Sequence, residues 1–119
     1  MRKRAVLLAV CTLIGTLGAA APPTRAGGFE RCPAARLCLF ANVDGTGTMA
    51  YFASGSPDLA QQAIDNDTSA YWNRTGANWD VFDLPNYRER IYTLWADETE
   101  PVQLSHMSWE DSYSSLRRQ

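Results

Sequence analysis

The chain has 119 residues, with 11 Lys and Arg, 13 Asp and Glu, and a formal net charge of −2. All 13 acidic residues but only seven Arg and no Lys lie from residue 27 onward, so this part has a charge balance of −6. Such an acidic surface argues against nucleic acid and anionic membranes as partners. The 93 residues from Gly27 onward are enough for one domain with a thin core.

The first 26 residues have the pattern of a secretory signal peptide. A basic start at residues 1–4 is followed by an apolar run over residues 5–20 and then by small residues. The alternative, an uncleaved membrane anchor, requires roughly 20 apolar residues, and this run is shorter. We therefore expect a secreted, extracellular protein that has no membrane partner after processing. Candidate cleavage sites follow Ala20, Ala21 and Ala26.

Two cysteines follow the predicted signal peptide, Cys32 and Cys38. An even pair in an exported protein predicts a disulfide, which in a loop this short contributes about 2–2.5 kcal/mol. The alternative is half of a zinc site, but it would need two more soft ligands, and His106 is the only other candidate. The disulfide is the favoured interpretation.

Short strand-like runs are separated by the turn-forming residues Gly, Asn, Asp and Pro, a pattern typical of an all-β fold. The predicted strands span residues 36–42, 48–53, 69–73, 80–83, 90–95, 101–104 and 113–116. One short helix is expected over residues 57–64, with Ser56 as its cap and Pro57 at the first helical position. This pattern predicts an antiparallel β-sandwich within a single domain, residues 27–119.

The aromatic residues predict where the core lies. All four tryptophans follow residue 27, and in so small a domain they more often form the core than a carbohydrate platform. We expect Trp79 and Trp109 to be partly exposed beside loops.

A degenerate repeat divides the domain into two motifs, at about residues 36–73 and 79–117. Each copy begins with an aromatic residue and ends on an acidic box that contains a Ser; Phe40 and Phe82 are 42 residues apart. The boxes resemble the calcium motif of βγ-crystallins, and the resemblance implies oxygen ligands for Ca²⁺. The candidate ligands are Asp65, Asn66 and Ser69 in the first box and Glu110, Asp111 and Ser114 in the second. The alternative is that the serines only bond neighbouring loops while the acids cap turns.

The hairpins that precede the boxes differ in one glycine. The first, residues 40–47, keeps the aromatic start and the final Gly47 of the crystallin pattern, whereas the second, residues 82–89, has Glu89 at that place. Because glycine there relieves a positive φ, we expect the second hairpin to be strained or rebuilt.

The chain resembles the secreted bacterial peptidase inhibitors typified by the Streptomyces metalloproteinase inhibitor. The resemblance lies in the signal peptide, the closely spaced pair Cys32 and Cys38, and the crystallin-like sequence that follows the pair. The resemblance implies a βγ-crystallin-like antiparallel β-sandwich of two Greek-key motifs that occludes the cleft of a thermolysin-like metalloprotease. That family pins its inhibitory loop with a second cysteine pair, which this chain lacks. The corresponding segment here offers Val81, Phe82 and Leu84 to a hydrophobic pocket.

No enzyme motif is recognisable after the signal peptide. The lone His106 has no zinc-protease helix motif around it, and a nucleophile elbow is absent from the sequence. We therefore expect a non-enzymatic protein. We also expect a monomer that requires no cofactor, with Ca²⁺ as the one candidate ion, and the family resemblance implies a secreted protease, above all a metalloprotease, as its partner. The alternative function is a calcium-binding structural or surface module without inhibitory activity.

Overall fold

A computed structural model describes residues 28–96, 98–105, 107 and 110–119. The predicted signal peptide, His106 and Trp109 lie outside these residues. Eight strands and two short 3-10 helices, Phe29–Arg31 and Leu59–Gln62, make up the described regular structure. The strands are β1 Leu37–Phe40, β2 Met49–Phe52, β3 Gly55–Ser56, β4 Ala70–Asn73, β5 Trp79–Leu84, β6 Arg88–Leu94, β7 Val102–Gln103 and β8 Ser115–Arg118. No helix among the described residues is long and apolar enough to cross a membrane.

The strands form two antiparallel sheets of four, in the orders β2-β1-β4-β7 and β3-β8-β5-β6. Strands β1–β4 belong to the first half of the chain and β5–β8 to the second. Each half gives its third strand to the other sheet, because β3 pairs with β8 and β7 pairs with β4. The exchange ties the two halves into one sandwich, and the all-β prediction with two Greek keys is confirmed.

The main core lies between the two sheets. It includes Leu39 from β1, Val81 from β5 and Leu116 from β8, all fully buried. Trp79 also belongs to it with 0% exposure, so the prediction of a partly exposed Trp79 is wrong. Its indole Nε1 donates a hydrogen bond to Thr75 Oγ1 at 2.9 Å, which satisfies the polar edge of the ring inside the core.

A second apolar cluster lies on the outer face of the first sheet. Strand β1 alternates, so Leu37 and Leu39 enter the main core while Cys38 and Phe40 point to the opposite side. The segment before β1 covers that side: the ring of Phe29 lies edge-on to Phe40 at 5.0 Å. The same segment is fastened to β1 by the Cys32–Cys38 disulfide, with a Cα–Cα distance of 5.8 Å, and the predicted disulfide is confirmed.

The predicted helix is shorter and tighter than expected. Its cap is Asp58 rather than Ser56, because Asp58 Oδ1 accepts from the Ala60 amide at 3.0 Å while Ser56 belongs to β3. The helix ends at Gln62, and the C-cap residue Ala63 has a left-handed φ of 60°. The two-residue strand β3 was not predicted, because two residues are too short for an alternating pattern.

Candidate functional site

The two acidic boxes meet each other across the sandwich. Ser69 Oγ of the first box donates to Asp111 Oδ1 of the second at 3.2 Å, and Ser114 Oγ of the second donates to Asn66 Oδ1 of the first, also at 3.2 Å. Both serines are buried, and Asn66 and Asp111 are exposed. The boxes thus exchange partners in the same way that the two halves exchange strands.

Backbone hydrogen bonds repeat the same symmetry. The Asn66 amide donates to the Tyr113 carbonyl at 2.8 Å, and the Asp111 amide donates to the Thr68 carbonyl at 3.0 Å. Asn66 and Asp111 have positive φ values of 53° and 62°. Asn and Asp tolerate this left-handed conformation better than most residues, which explains their place at the turn.

The oxygen atoms of these pairs suit a hard cation, although few of them are charged. One pair combines a carboxylate with a hydroxyl, and the other combines an amide with a hydroxyl. Within the described residues, no three His, Cys, Asp or Glu side chains are grouped to hold a metal ion. Ca²⁺ takes six to eight oxygens. Backbone carbonyls, water and the neighbouring carboxylates of Asp65 and Glu110 would have to complete the coordination.

Two buried hydroxyls sit at equivalent positions of the two boxes. Thr68 Oγ1 and Tyr113 Oη have no hydrogen-bond partner among the described residues. Burial raises the pKa of Tyr113 far above its ordinary value, and the neighbouring Tyr71 and Tyr92 add to the effect. This phenol therefore stays neutral and adds no negative charge to a cation site.

The second hairpin, residues 82–89, contains the end of β5, a turn and the start of β6. Ser115 Oγ bridges its turn, because it donates to the Leu84 carbonyl at 2.7 Å and accepts from the Tyr87 amide at 3.1 Å. The Asn86 amide donates to the Pro57 carbonyl at 2.7 Å. The turn is thus held from two other parts of the chain.

The expected strain is present in this hairpin. Asn86, Tyr87 and Glu89 have φ values of 63°, 63° and 61°, whereas the corresponding hairpin of the first half has its positive φ values at Gly45 and Gly47. Non-glycine residues in this region cost free energy, and such residues persist only where the surroundings hold them.

The predicted inhibitory residues have different environments. Val81 and Phe82 are buried in β5, while Leu84 at the end of the strand is 37% exposed. A buried side chain cannot enter a protease pocket without unfolding of its strand. The predicted inhibitory segment therefore depends on Leu84 and the turn that follows it.

Two residues beside the second hairpin were not singled out from the sequence. Ser115 aligns with Ala70 of the first box, which lies 45 positions earlier. This difference between the two boxes is the sequence feature that could have pointed to Ser115. Arg117 is exposed on β8, and its guanidinium carbon lies 4.9 Å from the ring centre of Tyr87 and 5.3 Å from that of Phe82. No sequence pattern indicated this stacking.

Comparison with known proteins gives both a family and a fold. The model of a family described as peptidase inhibitor family I36 matches residues 25–94. No curated protein matches the chain at a significant level.

Similar solved structures are βγ-crystallins. One, from work on the evolution of the eye-lens βγ-crystallin domain fold, has a TM-score of 0.63 and 16% identity over 74% of this chain and 89% of its own. A βγ-crystallin from Ciona intestinalis has a TM-score of 0.59 and 21% identity over 71% and 99%. One from an archaeon has a TM-score of 0.60 and 19% identity over 73% and 100%. At these identities the likeness establishes the βγ-crystallin fold alone.

Proposed function

Because this chain belongs to peptidase inhibitor family I36, we propose that it is a secreted inhibitor that occludes the cleft of a thermolysin-like metalloprotease. The observation that carries the proposal is the family match over residues 25–94, which includes the second hairpin. Membership in an inhibitor family also implies a non-enzymatic protein with a protease as its partner. Secretion is supported by the signal-peptide pattern of residues 1–26.

The second hairpin is the segment that we propose to enter the protease cleft, with the inhibitor acting as a monomer. Leu84 offers an exposed apolar side chain at the end of a strand. The following Pro85 has a restricted φ, and the turn is held by Ser115 and Pro57. A segment ordered before binding loses little conformational entropy in the complex, and this contributes to affinity. The buried side chains of Val81 and Phe82 anchor β5, the strand that leads into the turn.

The test is a titration of the purified protein against a thermolysin-type and a subtilisin-type protease. We expect Leu84→Ala to raise the inhibition constant for the metalloprotease about thirtyfold, because a buried Leu side chain contributes about 2 kcal/mol more than Ala. Val43→Ala is the matched control, since Val43 is 36% exposed in the hairpin of the first half. Absence of inhibition at micromolar concentration, by protein that stays intact, would refute the proposal.

Calcium binding is the second candidate function, as in a structural or surface module without inhibitory activity. The reciprocal pairs Ser69–Asp111 and Ser114–Asn66 favour it, because each brings two oxygen donors from distant parts of the chain together. With one carboxylate between the two pairs, the affinity would be weak. No cofactor is needed for inhibition by occlusion.

A further inference from the structure

No disulfide bond holds the second hairpin in place. No cysteine follows Cys38 in the sequence. In the first half, by contrast, the disulfide fastens the segment in which Phe29 covers Phe40 on the outer face of the sheet. The corresponding aromatic residue of the second half is Phe82, 42 positions later, and it too is buried although it lies outside the main core cluster.

Phe82 is covered by a stack of side chains that takes the place of the disulfide-linked segment. The Tyr87 ring lies edge-on to Phe82 at 5.7 Å. The Arg117 guanidinium lies within 5.3 Å of the ring centres of both, so one cation contacts two aromatic rings. Tyr87 thereby stays against the sheet in its left-handed conformation, with φ 63°.

Arg117 acts from outside the sandwich core. It lies on β8 next to Leu116, which is fully buried, whereas Arg117 itself is exposed. Alternation along the strand sends the two side chains to opposite faces. Removing the Arg117 side chain should therefore leave the main core intact.

We infer that Arg117 is a positioning residue of the inhibitory hairpin: its stacking on Tyr87 and Phe82, together with the Ser115 bridge, supplies the order that a second disulfide would otherwise give. The inference rests on the proposed function, because it assigns Arg117 a role in presenting Leu84 to the protease. Its observed contacts are with Phe82 and Tyr87 of the hairpin.

The experiment compares Arg117→Ala with Arg118→Ala in the full secreted protein. Arg118 is the exposed neighbour on the same strand, and its side chain bonds the Ala53 carbonyl rather than the hairpin. We measure the inhibition constant against a thermolysin-type protease, amide hydrogen exchange at Tyr87 and Arg88, and the thermal midpoint. Arg117→Ala should raise the inhibition constant and the two exchange rates about tenfold with little change in midpoint. Arg118→Ala should match the wild type.

Arg117→Lys provides a graded comparison, because an ammonium keeps the charge but not the flat stacking surface. Its inhibition constant should lie between those of the wild type and Arg117→Ala. Unchanged exchange in Arg117→Ala would overturn the inference, whatever the protease data show. Faster exchange combined with an unchanged inhibition constant would overturn the link to inhibition. If the wild type does not inhibit at all, faster exchange still establishes that Arg117 orders the hairpin, and the proposed function is what fails.

Discussion

Glu89 occupies in the second half of the molecule the left-handed backbone conformation that Gly47 occupies in the first. Their φ values are 61° and 79°, and they lie 42 residues apart. At Gly47 an added Cβ would approach Asn42 Nδ2 to 2.8 Å, so only glycine fits without a shift. At Glu89 the side chain is exposed and is accommodated, but the conformation remains unfavourable for it.

Replacing Glu89 by Gly should therefore stabilise the protein. A non-glycine residue at such a φ costs about 1 kcal/mol, and the greater freedom of glycine in the unfolded chain offsets part of the gain. We expect a rise in melting temperature of about 2–4 °C, measured by calorimetry.

The matched control for this change is Asp83→Gly, which also replaces an exposed acid in the same hairpin. Asp83 lies in β5 and is not among the residues with positive φ. Glycine within a strand is unfavourable, so this variant should melt several degrees lower. A lower midpoint in Glu89→Gly as well would show that φ strain does not limit stability here.

Loss of the disulfide should destabilise the fold and free the segment that covers Phe40. The Cys32–Cys38 loop is short, and the chain-entropy estimate for closing it is about 2–2.5 kcal/mol. Urea unfolding with and without reductant measures this free energy. The double variant Cys32→Ala, Cys38→Ala should behave like the reduced wild type, and a loss below about 1 kcal/mol would contradict the estimate.

Calcium binding should respond to the charge of the exchanged pairs. Asn66→Asp places a second carboxylate beside Ser114 and should raise the affinity for Ca²⁺, whereas Asp111→Asn removes the existing carboxylate beside Ser69 and should lower it. A ligand that binds only the folded state raises the melting temperature. The rise in midpoint on adding millimolar Ca²⁺ therefore ranks the affinities of the wild type and the two variants. If the ion moves none of the three midpoints, the calcium proposal is rejected.

Asp80 should make stability depend on pH in the acid range. Burial raises its pKa, but hydrogen bonds from Arg90 and Gln119 and the charge of Arg90 outweigh burial, so the pKa of Asp80 lies below its usual 3.8. The Arg90 Nε to Asp80 Oδ1 distance is 2.9 Å. A carboxyl with a lowered pKa stabilises the fold above the unfolded value and loses this contribution as the pH falls through the folded value.

Asp80→Asn should accordingly lower stability at pH 6 by less than about 1 kcal/mol, because Arg90 is half exposed and solvent screens the pair. The difference from the wild type should shrink below pH 4, as seen in urea midpoints over pH 2–7. Asp83→Asn, an exposed carboxylate on the same strand, serves as the comparison. A difference that persists unchanged at pH 2 would contradict the assignment.

Most of the strands were predictable because their signals are local. The seven predicted runs correspond to β1, β2 and β4–β8 with modest shifts at the ends, and the missing β3 is two residues long. The helix was placed correctly, but its cap was not, because Ser56 was drawn into pairing with β8, which the local pattern does not reveal.

The residue types of the candidate sites could be predicted from the sequence, but the spatial arrangement of those residues could not. The two boxes and the out-of-place Glu89 are visible by comparing one half of the chain with the other. The burial of Val81 and Phe82, and the stacking of Arg117 on Tyr87, depend on contacts between residues far apart in sequence.

The all-β character, the duplicated motif, the cysteine pair and the family resemblance could all be predicted from the sequence, because alternation, turn residues and spacing act over a few positions. Only the folded structure shows that each half contributes its third strand to the sheet of the other half and that Ser69 contacts Asp111. It also shows that Trp79 is buried while Trp95 is 48% exposed. The physical reason is that burial and pairing follow from packing the two sheets against each other, and this packing energy belongs to no single segment.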